Sequence, residues 1–404
     1  MCCKCSSFNG IEKYPKLRFP EFTEPWAETQ LSALFNKNTK KNNDGFVTNV
    51  ISNSAKNGLI PQKDYFDKDI ANADNTAGYY IIQKNDFVYN PRKSTDAPYG
   101  PISRYTFEDD GIVSPLYLCF RGNMNVNPDY FEKYFKSSAW HRYIYMSGDS
   151  GARHDRVSIK DETFFEMPII MPCEHEQDKI ATFLSTLEQK IEKQAALVDN
   201  LKKYKRGVLQ KLFSANKYNW KKARFGDFFT ERTEKTADTK TYPICSLTIE
   251  DGIILKPEKY FREFLITKEG ESYKILRPSW FAYNPMNAHI GAIAPNTTGI
   301  AVSVSGYYNI FSVNQPETTT FWEEYLKCYN MLCYYKVIAT GSLIEKQRVH
   351  YSQFVNIEMP LPSIKEQEQI SLLLRSLNNK LKNAECIYNN LLKQKSGFLQ
   401  KLFI

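Results

Sequence analysis

A stretch of about forty residues occurs twice in this chain, and that repetition limits the architectures open to it. Residues 172–213 read PCEHEQDKIATFLSTLEQKIEKQAALVDNLKKYKRGVLQKLF, and residues 362–403 read PSIKEQEQISLLLRSLNNKLKNAECIYNNLLKQKSGFLQKLF, 190 positions later and without a gap. Glu176, Gln177, Ile180, Leu184, Leu187 and Leu201 recur as Glu366, Gln367, Ile370, Leu374, Leu377 and Leu391. Both copies space their seam residues alternately four and three apart, the period of a long helix that packs along another helix. The first seam is Ile180, Leu184, Leu187, Ile191, Gln194, Val198, Leu201, Lys205, Val208, Leu212; the second is Ile370, Leu374, Leu377, Leu381, Ala384, Tyr388, Leu391, Lys395, Phe398, Leu402. Pro172 and Pro362 mark the starts, with Glu174, Glu176, Glu366 and Glu368 in the first turns, where carboxylates suit the positive dipole end. About 38 helical residues at ~1.5 Å each give a rod of roughly 55 Å. Lys205 and Lys395 place a charge at the same level of each seam, a device that fixes register at some cost in stability. Two such helices, each following a globule, pair most simply with each other, antiparallel. The alternative is a surface helix on each globule.

A fainter repeat runs through the globules. Trp26 to Leu31 resembles Trp220 to Phe225, and Tyr89-Asn90-Pro91 resembles Tyr283-Asn284-Pro285, both at an offset of 194. Gly111 to Ser114 resembles Gly299 to Ser303, and Arg156-Val157 ahead of Phe164 resembles Arg348-Val349 ahead of Phe354. Elsewhere the globules diverge. Short apolar and aromatic runs bounded by Gly, Pro and Asn predict strands over 78–82, 86–89, 111–120, 252–255, 290–294 and 299–304, and 131–141 and 320–335 read as helices. The expected fold class is α+β: two globules on two long antiparallel coiled-coil helices, with a pseudo-twofold internal repeat.

Composition narrows the partners. The 404 residues leave room for two or three domains, and 53 Lys and Arg against 45 acids give a formal charge of +8, which permits a polyanion partner without requiring one. No apolar run reaches the ~18 residues needed to cross a membrane, and the start, MCCKCSSFNG, shows no secretory signal. Nine cysteines without framework spacing suit reduced thiols in a cytosol. Cys2, Cys3 and Cys5 have no matching Cys/His pair at zinc spacing and read as a loose tail.

Catalytic signatures are missing. Asn90-Pro91-Arg92-Lys93 and Asn284-Pro285-Met286-Asn287 lack the second Pro and the aromatic of an adenine-methyltransferase loop. No glycine-rich nucleotide loop, nucleophile elbow or histidine metal spacing is present. Polar loops with basic and amide residues stand out instead. In the first globule these carry Tyr89, Asn90, Arg92, Lys93, Arg153, His154 and Arg156, and in the second Tyr283, Asn284, Asn287, Lys346, Gln347 and Arg348. Guanidinium, ammonium and amide groups are what base edges and phosphates need. For any one of them the alternative is a solvated loop; for Arg156 and Arg348 it is an internal salt bridge, and for Tyr89 and Tyr283 a core position at a turn.

The order globule, Pro-x-x-x-Glu-Gln helix ending Gly-x-Leu-Gln-Lys-Leu-Phe, globule, same helix resembles the specificity subunit of Type I restriction–modification enzymes, from Pro15 onward. The resemblance implies a Cys-rich tail over 1–14, a target-recognition domain over 15–171, a spacer helix over 172–213, a second target-recognition domain over 214–361 and a second spacer helix over 362–404. It implies a non-catalytic, cytoplasmic prokaryotic subunit in host defence. Each globule would read half of a split site in double-stranded DNA, with the helix pair as ruler. The helix pairing and the docking of two methylation subunits would fall to Glu176, Gln177, Ile180, Leu184, Leu187, Leu201, Glu366, Gln367, Ile370, Leu374, Leu377 and Leu391. Restriction subunits would join the complex. No cofactor is expected on this chain; S-adenosylmethionine and ATP with magnesium would belong to partner subunits. The rival readings are a coiled-coil interaction scaffold, a silent specificity cassette, and a self-sufficient methyltransferase or nuclease.

Overall fold

The computed structural model describes residues 13–62, 76, 78–148, 155–214, 220–255, 273–341 and 347–404. The chain forms two compact units, residues 1–195 with 387–404, and residues 196–386.

The first unit contains β1 (Ala27–Gln30), α1 (Leu31–Leu34), β2 (Phe35–Lys37), β3 (Ile51–Ser54), β4 (Gly58–Pro61), β5 (Tyr80–Ile82), β6 (Asp86–Tyr89), β7 (Ile102–Arg104), β8 (Gly111–Val113), β9 (Leu118–Gly122), α2 (Pro128–Lys136), α3 (His141–Ser147), α4 (Asp161–Phe165), β10 (Pro168–Met171) and the start of α5 (Glu174–Phe213). Its central sheet is antiparallel in the order β2-β9-β6-β7. All four residues of β6 are buried, because the sheet is covered on both faces. Phe87, Tyr89 and Phe120 face one core with Phe131, Tyr134, Phe135 and Trp140; Val88 and Cys119 face a smaller one with Ile51, Ile82 and Val113. Helix α2 starts where Asn127 accepts the Tyr130 amide at 3.0 Å and Pro128 supplies a preset φ.

The second unit contains β11 (Lys221–Arg224), β12 (Phe229–Arg232), β13 (Lys235–Thr236), β14 (Cys245–Thr248), β15 (Gly252–Leu255), β16 (Tyr273–Leu276), β17 (Phe281–Tyr283), β18 (Ile293–Pro295), β19 (Val302–Val304), β20 (Asn309–Val313), α6 (Thr319–Tyr325), α7 (Tyr329–Ile338), α8 (Tyr351–Val355), β21 (Glu358–Leu361) and most of α9 (Ile364–Lys401). Its central sheet runs β12-β20-β17-β18, again antiparallel. Phe281, Tyr283 and Phe311 face one core with Trp322 and Phe354; Ala282 and Ile310 face the other with Cys245 and Val302. Packing recurs in detail. Tyr89 stacks on Phe164 with centroids 5.2 Å apart, and Tyr283 stacks on Phe354 at 5.0 Å.

Several sequence expectations are corrected. The strand expected over 111–120 is two, β8 and β9, because residues 114–117 turn: the Tyr117 amide donates to the Ser114 carbonyl at 3.0 Å. The helix expected over 131–141 is α2 and α3, broken where Ser137 adopts an extended backbone. The helix expected over 320–335 is α6 and α7, separated at Cys328, which is extended. Residues 288–290 form a 3-10 turn closed by Gly291 in the left-handed region, so β18 begins only at Ile293.

The long helices form as expected, but their seams do more than face a helix. In the first unit Ile180, Ala181 and Leu184 belong to the globule core, which Leu402 and Phe403 complete. Leu187 and Ile191 pack with Leu391 and Tyr388. Phe183 meets Phe398 edge-on at 5.0 Å, and Glu188 meets Lys395 at 2.7 Å. In the second unit Leu209, Leu212 and Ile370 lie against the globule core. Lys202 pairs with Glu385 at 2.9 Å, and Lys205 leaves the seam to pair with Glu324 of α6 at 2.6 Å. Leu374 and Leu377 are buried and Leu201 is half-buried. No helix among the described residues is long and apolar enough to cross a membrane.

Candidate nucleic-acid interface

Four of the expected binding residues gather on one groove of the first unit. The loop after β6 turns at Asn90-Pro91, where Asn90 Oδ1 accepts the Arg92 amide at 3.1 Å. This turn is bonded to the segment around Arg156. The Val157 amide donates to the Pro91 carbonyl and the Lys93 amide to the Asp155 carbonyl, both at 2.8 Å. The groove so framed, about 640 Å³, is lined by Asn90, Arg92, Lys93 and Arg156, and by Asn53, Lys56, Gln62, Ser114 and Tyr117 of neighbouring elements.

Charge is concentrated in this groove. Several cations elsewhere in the unit are paired with carboxylates. Arg18 pairs with Glu176, Lys37 with Asp161 at 2.5 Å, Arg104 with Asp129 and Arg121 with Asp86. The largest effect on Arg121 is its hydrogen bonding to Asp86, which raises its pKa. The side chains of Lys56, Arg92, Lys93 and Arg156 have no carboxylate partner among the described residues, and Asp96 is the one acid lining the groove with them. Four cations facing one carboxylate form a surface that attracts polyanions and shows donors to them. Gly100 shapes the loop: its φ is +81° and a Cβ there would sit 2.1 Å from the Asn90 carbonyl oxygen.

In the second unit Asn284 repeats the turn, its Oδ1 accepting the Met286 amide at 3.1 Å. The Val349 amide donates to the Pro285 carbonyl at 3.0 Å, which sets the Asn284–Asn287 turn beside Gln347 and Arg348. Asn287 is exposed and Gln347 half-buried. Arg348 forms a two-bond bridge with Thr340, both bonds 2.9 Å, and its guanidinium lies 5.4 Å from the Tyr307 ring centroid.

Some expected site residues are corrected. Tyr89 and Tyr283 are 2 % and 0 % exposed, with hydroxyls donating to the Tyr99 and Val349 carbonyls, so neither ring can stack on a base. Burial pushes both hydroxyl pKa values above the ordinary range. Asn90 spends its oxygen on the Arg92 amide and gives Nδ2 to the Asn53 carbonyl at 3.0 Å, so it holds the loop. Glu176 is fully buried, bound by Arg18 at 2.8 and 2.7 Å and by the Trp26 indole N–H at 3.2 Å. Gln177 and Gln367 are buried and donate to the Pro172 and Pro362 carbonyls at 2.9 and 3.0 Å. These three cap and anchor helices and present no docking face; Glu366 is exposed and bonds Ser363. Arg153, His154, Lys346, Cys2, Cys3 and Cys5 lie outside the described residues.

Sequence reasoning missed Lys56 and Gln62. They belong to the hairpin β3–β4, whose Asn57-Gly58 turn signal stands in the sequence; its counterpart Asp251-Gly252 closes β14–β15.

Residues 26–202 match the family model of the Type I restriction modification DNA specificity domain. In sequence this stretch is similar to that domain. It spans the groove described above and the start of α5. In fold the whole chain is similar to the HsdS subunit from Thermoanaerobacter tengcongensis, at 14 % identity, a TM-score of 0.51, and coverage of 96 % of this chain and 98 % of that one. It is likewise similar to the Type-I restriction-modification system S subunit from M. genitalium, at 15 % identity, a TM-score of 0.56 and coverage of 97 % and 99 %. A third structure, described under complex assembly and conformational transition of the type I R-M system, is similar at 13 % identity, a TM-score of 0.53 and coverage of 94 % and 98 %. At these identities the likeness is one of fold, and it extends beyond the specificity domain to residues outside 26–202. No curated protein matches the sequence.

Proposed function

We propose that this chain is the non-catalytic specificity subunit of a Type I restriction–modification complex, acting in the cytoplasm of a prokaryote in host defence. Each unit reads one half of a split site in duplex DNA. Helices α5 and α9 pair as an antiparallel coiled coil and set the distance between the half-sites, the chain being a pseudo-twofold internal repeat. Two methylation subunits dock on the chain, and restriction subunits join them. S-adenosylmethionine and ATP are bound by those partners.

The observation that carries this reading is the unneutralised groove of Lys56, Arg92, Lys93 and Arg156 inside the stretch that matches the DNA specificity domain. The matching sheet orders and matching Asn-Pro turns of the two units support two readers built to one plan. Half-sites one helical turn apart, ~34 Å, lie on one face of the duplex, and helices of 40 and 38 residues are long enough to bridge such a gap. A solved neighbour described under complex assembly of the type I R-M system favours docking partners.

The test is a methylome. The chain is co-expressed with a cognate methylation subunit in an unmethylated host, and modified adenines are mapped by single-molecule sequencing. Two short blocks around a fixed gap are expected. No new methylation from an assembled complex overturns the proposal and leaves a protein-binding scaffold or a silent cassette.

A further inference from the structure

We propose that the hairpins β3–β4 and β14–β15 are the base-reading elements of the two units, with Lys56 and Gln62 reading in the first and Glu250 and Asp251 in the second. The inference rests on the DNA-reading function proposed above and names the residues that would set its specificity.

The two hairpins share one frame. Ile51 pairs with Pro61 and Ser54 with Gly58; 194 positions on, Cys245 pairs with Leu255 and Thr248 with Gly252. Gly58 and Gly252 both have φ of +68°, the left-handed residue that closes a three-residue hairpin loop. On this common frame the tips carry opposite chemistry. Lys56-Asn57 occupies the first and Glu250-Asp251 the second, and all four side chains are exposed. A conserved geometry with inverted charge suits parts that recognise different partners, whereas hairpins serving only the fold have no need to differ there.

The first hairpin is held firmly against the groove. Asn53, 4 % exposed, gives Nδ2 to the Val88 carbonyl at 2.7 Å and accepts from Ser103 Oγ at 2.7 Å, while its carbonyl accepts from Asn90. The strand end is fixed by the Gln62 amide, which donates to the Val50 carbonyl at 2.8 Å. Lys56 and Gln62 therefore line the groove together with Arg92 and Arg156 from a rigid support, and little ordering remains to be done when DNA enters. In the second hairpin Cys245 and Ile253 are buried in the smaller core, which leaves the tip proud of a fixed base. Lys and Gln meet the acceptor edge of guanine and the amide-like edge of adenine, whereas Glu and Asp accept from the cytosine amino group. An acidic tip repels phosphate, so its productive approach to DNA requires a base amino group.

The experiment uses the full chain assembled with its methylation subunit. Wild type, Lys56→Ala/Gln62→Ala and Glu250→Gln/Asp251→Asn are compared by methylome. The first variant is expected to admit other bases at one or two positions of one half-site, with discrimination there falling about tenfold, while the second half-site keeps its stringency. The second variant is expected to relax the other half-site alone, at a cytosine-containing pair. Unchanged stringency in both variants overturns the proposal, as does relaxation of both half-sites by one variant. If a variant abolishes methylation, band shifts of the assembled complex decide: loss confined to the wild-type site supports the proposal, and equal loss on a scrambled duplex overturns it. A wild-type complex that methylates nothing overturns the DNA-reading function itself, an outcome distinct from all of these.

Discussion

Glu176 and Glu366 occupy the same position of the repeated segment, yet replacing each by alanine should have very different consequences. The Glu176 side chain is 1 % exposed and receives both Arg18 nitrogens at 2.8 and 2.7 Å and the Trp26 indole N–H at 3.2 Å. Truncation leaves a guanidinium and an indole N–H without an acceptor in a buried place. Removing one partner of a buried pair costs ~3–5 kcal/mol. Arg18 keeps 14 % of its side-chain exposure and can recover some water, so the low end, about 3 kcal/mol, is expected. Glu366 is exposed and serves a capping box with Ser363, whose loss costs about 1 kcal/mol. Urea unfolding of the full chain, followed by circular dichroism and tryptophan fluorescence, should show the transition of the first unit moved strongly by Glu176→Ala. The transition of the second unit should move slightly with Glu366→Ala. The double variant Arg18→Leu/Glu176→Leu removes both charges and should be more stable than Glu176→Ala alone. Equal effects at 176 and 366, or a double variant less stable than Glu176→Ala, would refute the reasoning.

Three further outcomes are expected. Arg92→Ala and Lys93→Ala should each weaken DNA binding by the assembled complex on all sequences alike and lower the slope of log affinity against log salt by about 1, measured by fluorescence anisotropy. Glu188 feels burial, which pushes its carboxyl up, but Lys136, Lys133 and Lys395 overcome this and bring its pKa to about 2. Its folded pKa lies below the unfolded value, so its contribution is present above about pH 4.5 and is lost as pH falls toward 2; Glu188→Gln should flatten acid melting curves over that window. Gly100→Ala forces a Cβ onto the Asn90 carbonyl at a φ of +81° and should lower the first unit's melting temperature and DNA binding together, whereas Gly45→Ala, also at positive φ but with nothing within 4 Å, should cost only its backbone strain, about 1–2 kcal/mol, and leave DNA binding alone.

The long helices were legible because a seam maintained over several heptads needs no tertiary information. Their ends were legible from Pro172 and Pro362. What each seam residue touches was not legible. Leu184 and Leu187 are three residues apart, yet one completes a globule core and the other meets Leu391, because the helix leaves the globule between them. The globule strands were readable where the whole apolar segment is one strand, as in β6 and β15, and blurred where the strand keeps only three residues of a longer apolar segment, as in β8 and β19. The groove was half readable. Arg92, Lys93 and Arg156 follow from loop chemistry. Tyr89 failed because its ring faces inward from a strand buried on both sides, which depends on the second layer and not on its neighbours. Lys56 and Gln62 escaped because their place in the same groove as Arg92 is made by Asn53, some 37 positions from Asn90.

Residues 387–404 belong to the first unit, where Leu402 and Phe403 lie in the same core as Trp26 and Tyr130, and the Leu17 amide donates to the Lys401 carbonyl at 2.9 Å. Ribosomes make these pieces almost two hundred residues apart. The first globule therefore leaves the exit tunnel with an open flank and waits, while 196–386 can close around its own core in the meantime. A messenger RNA broken late, or a stop codon in the last turns of α9, would yield a product whose opening segment never finishes folding. Such a product exposes aromatic surface to proteases.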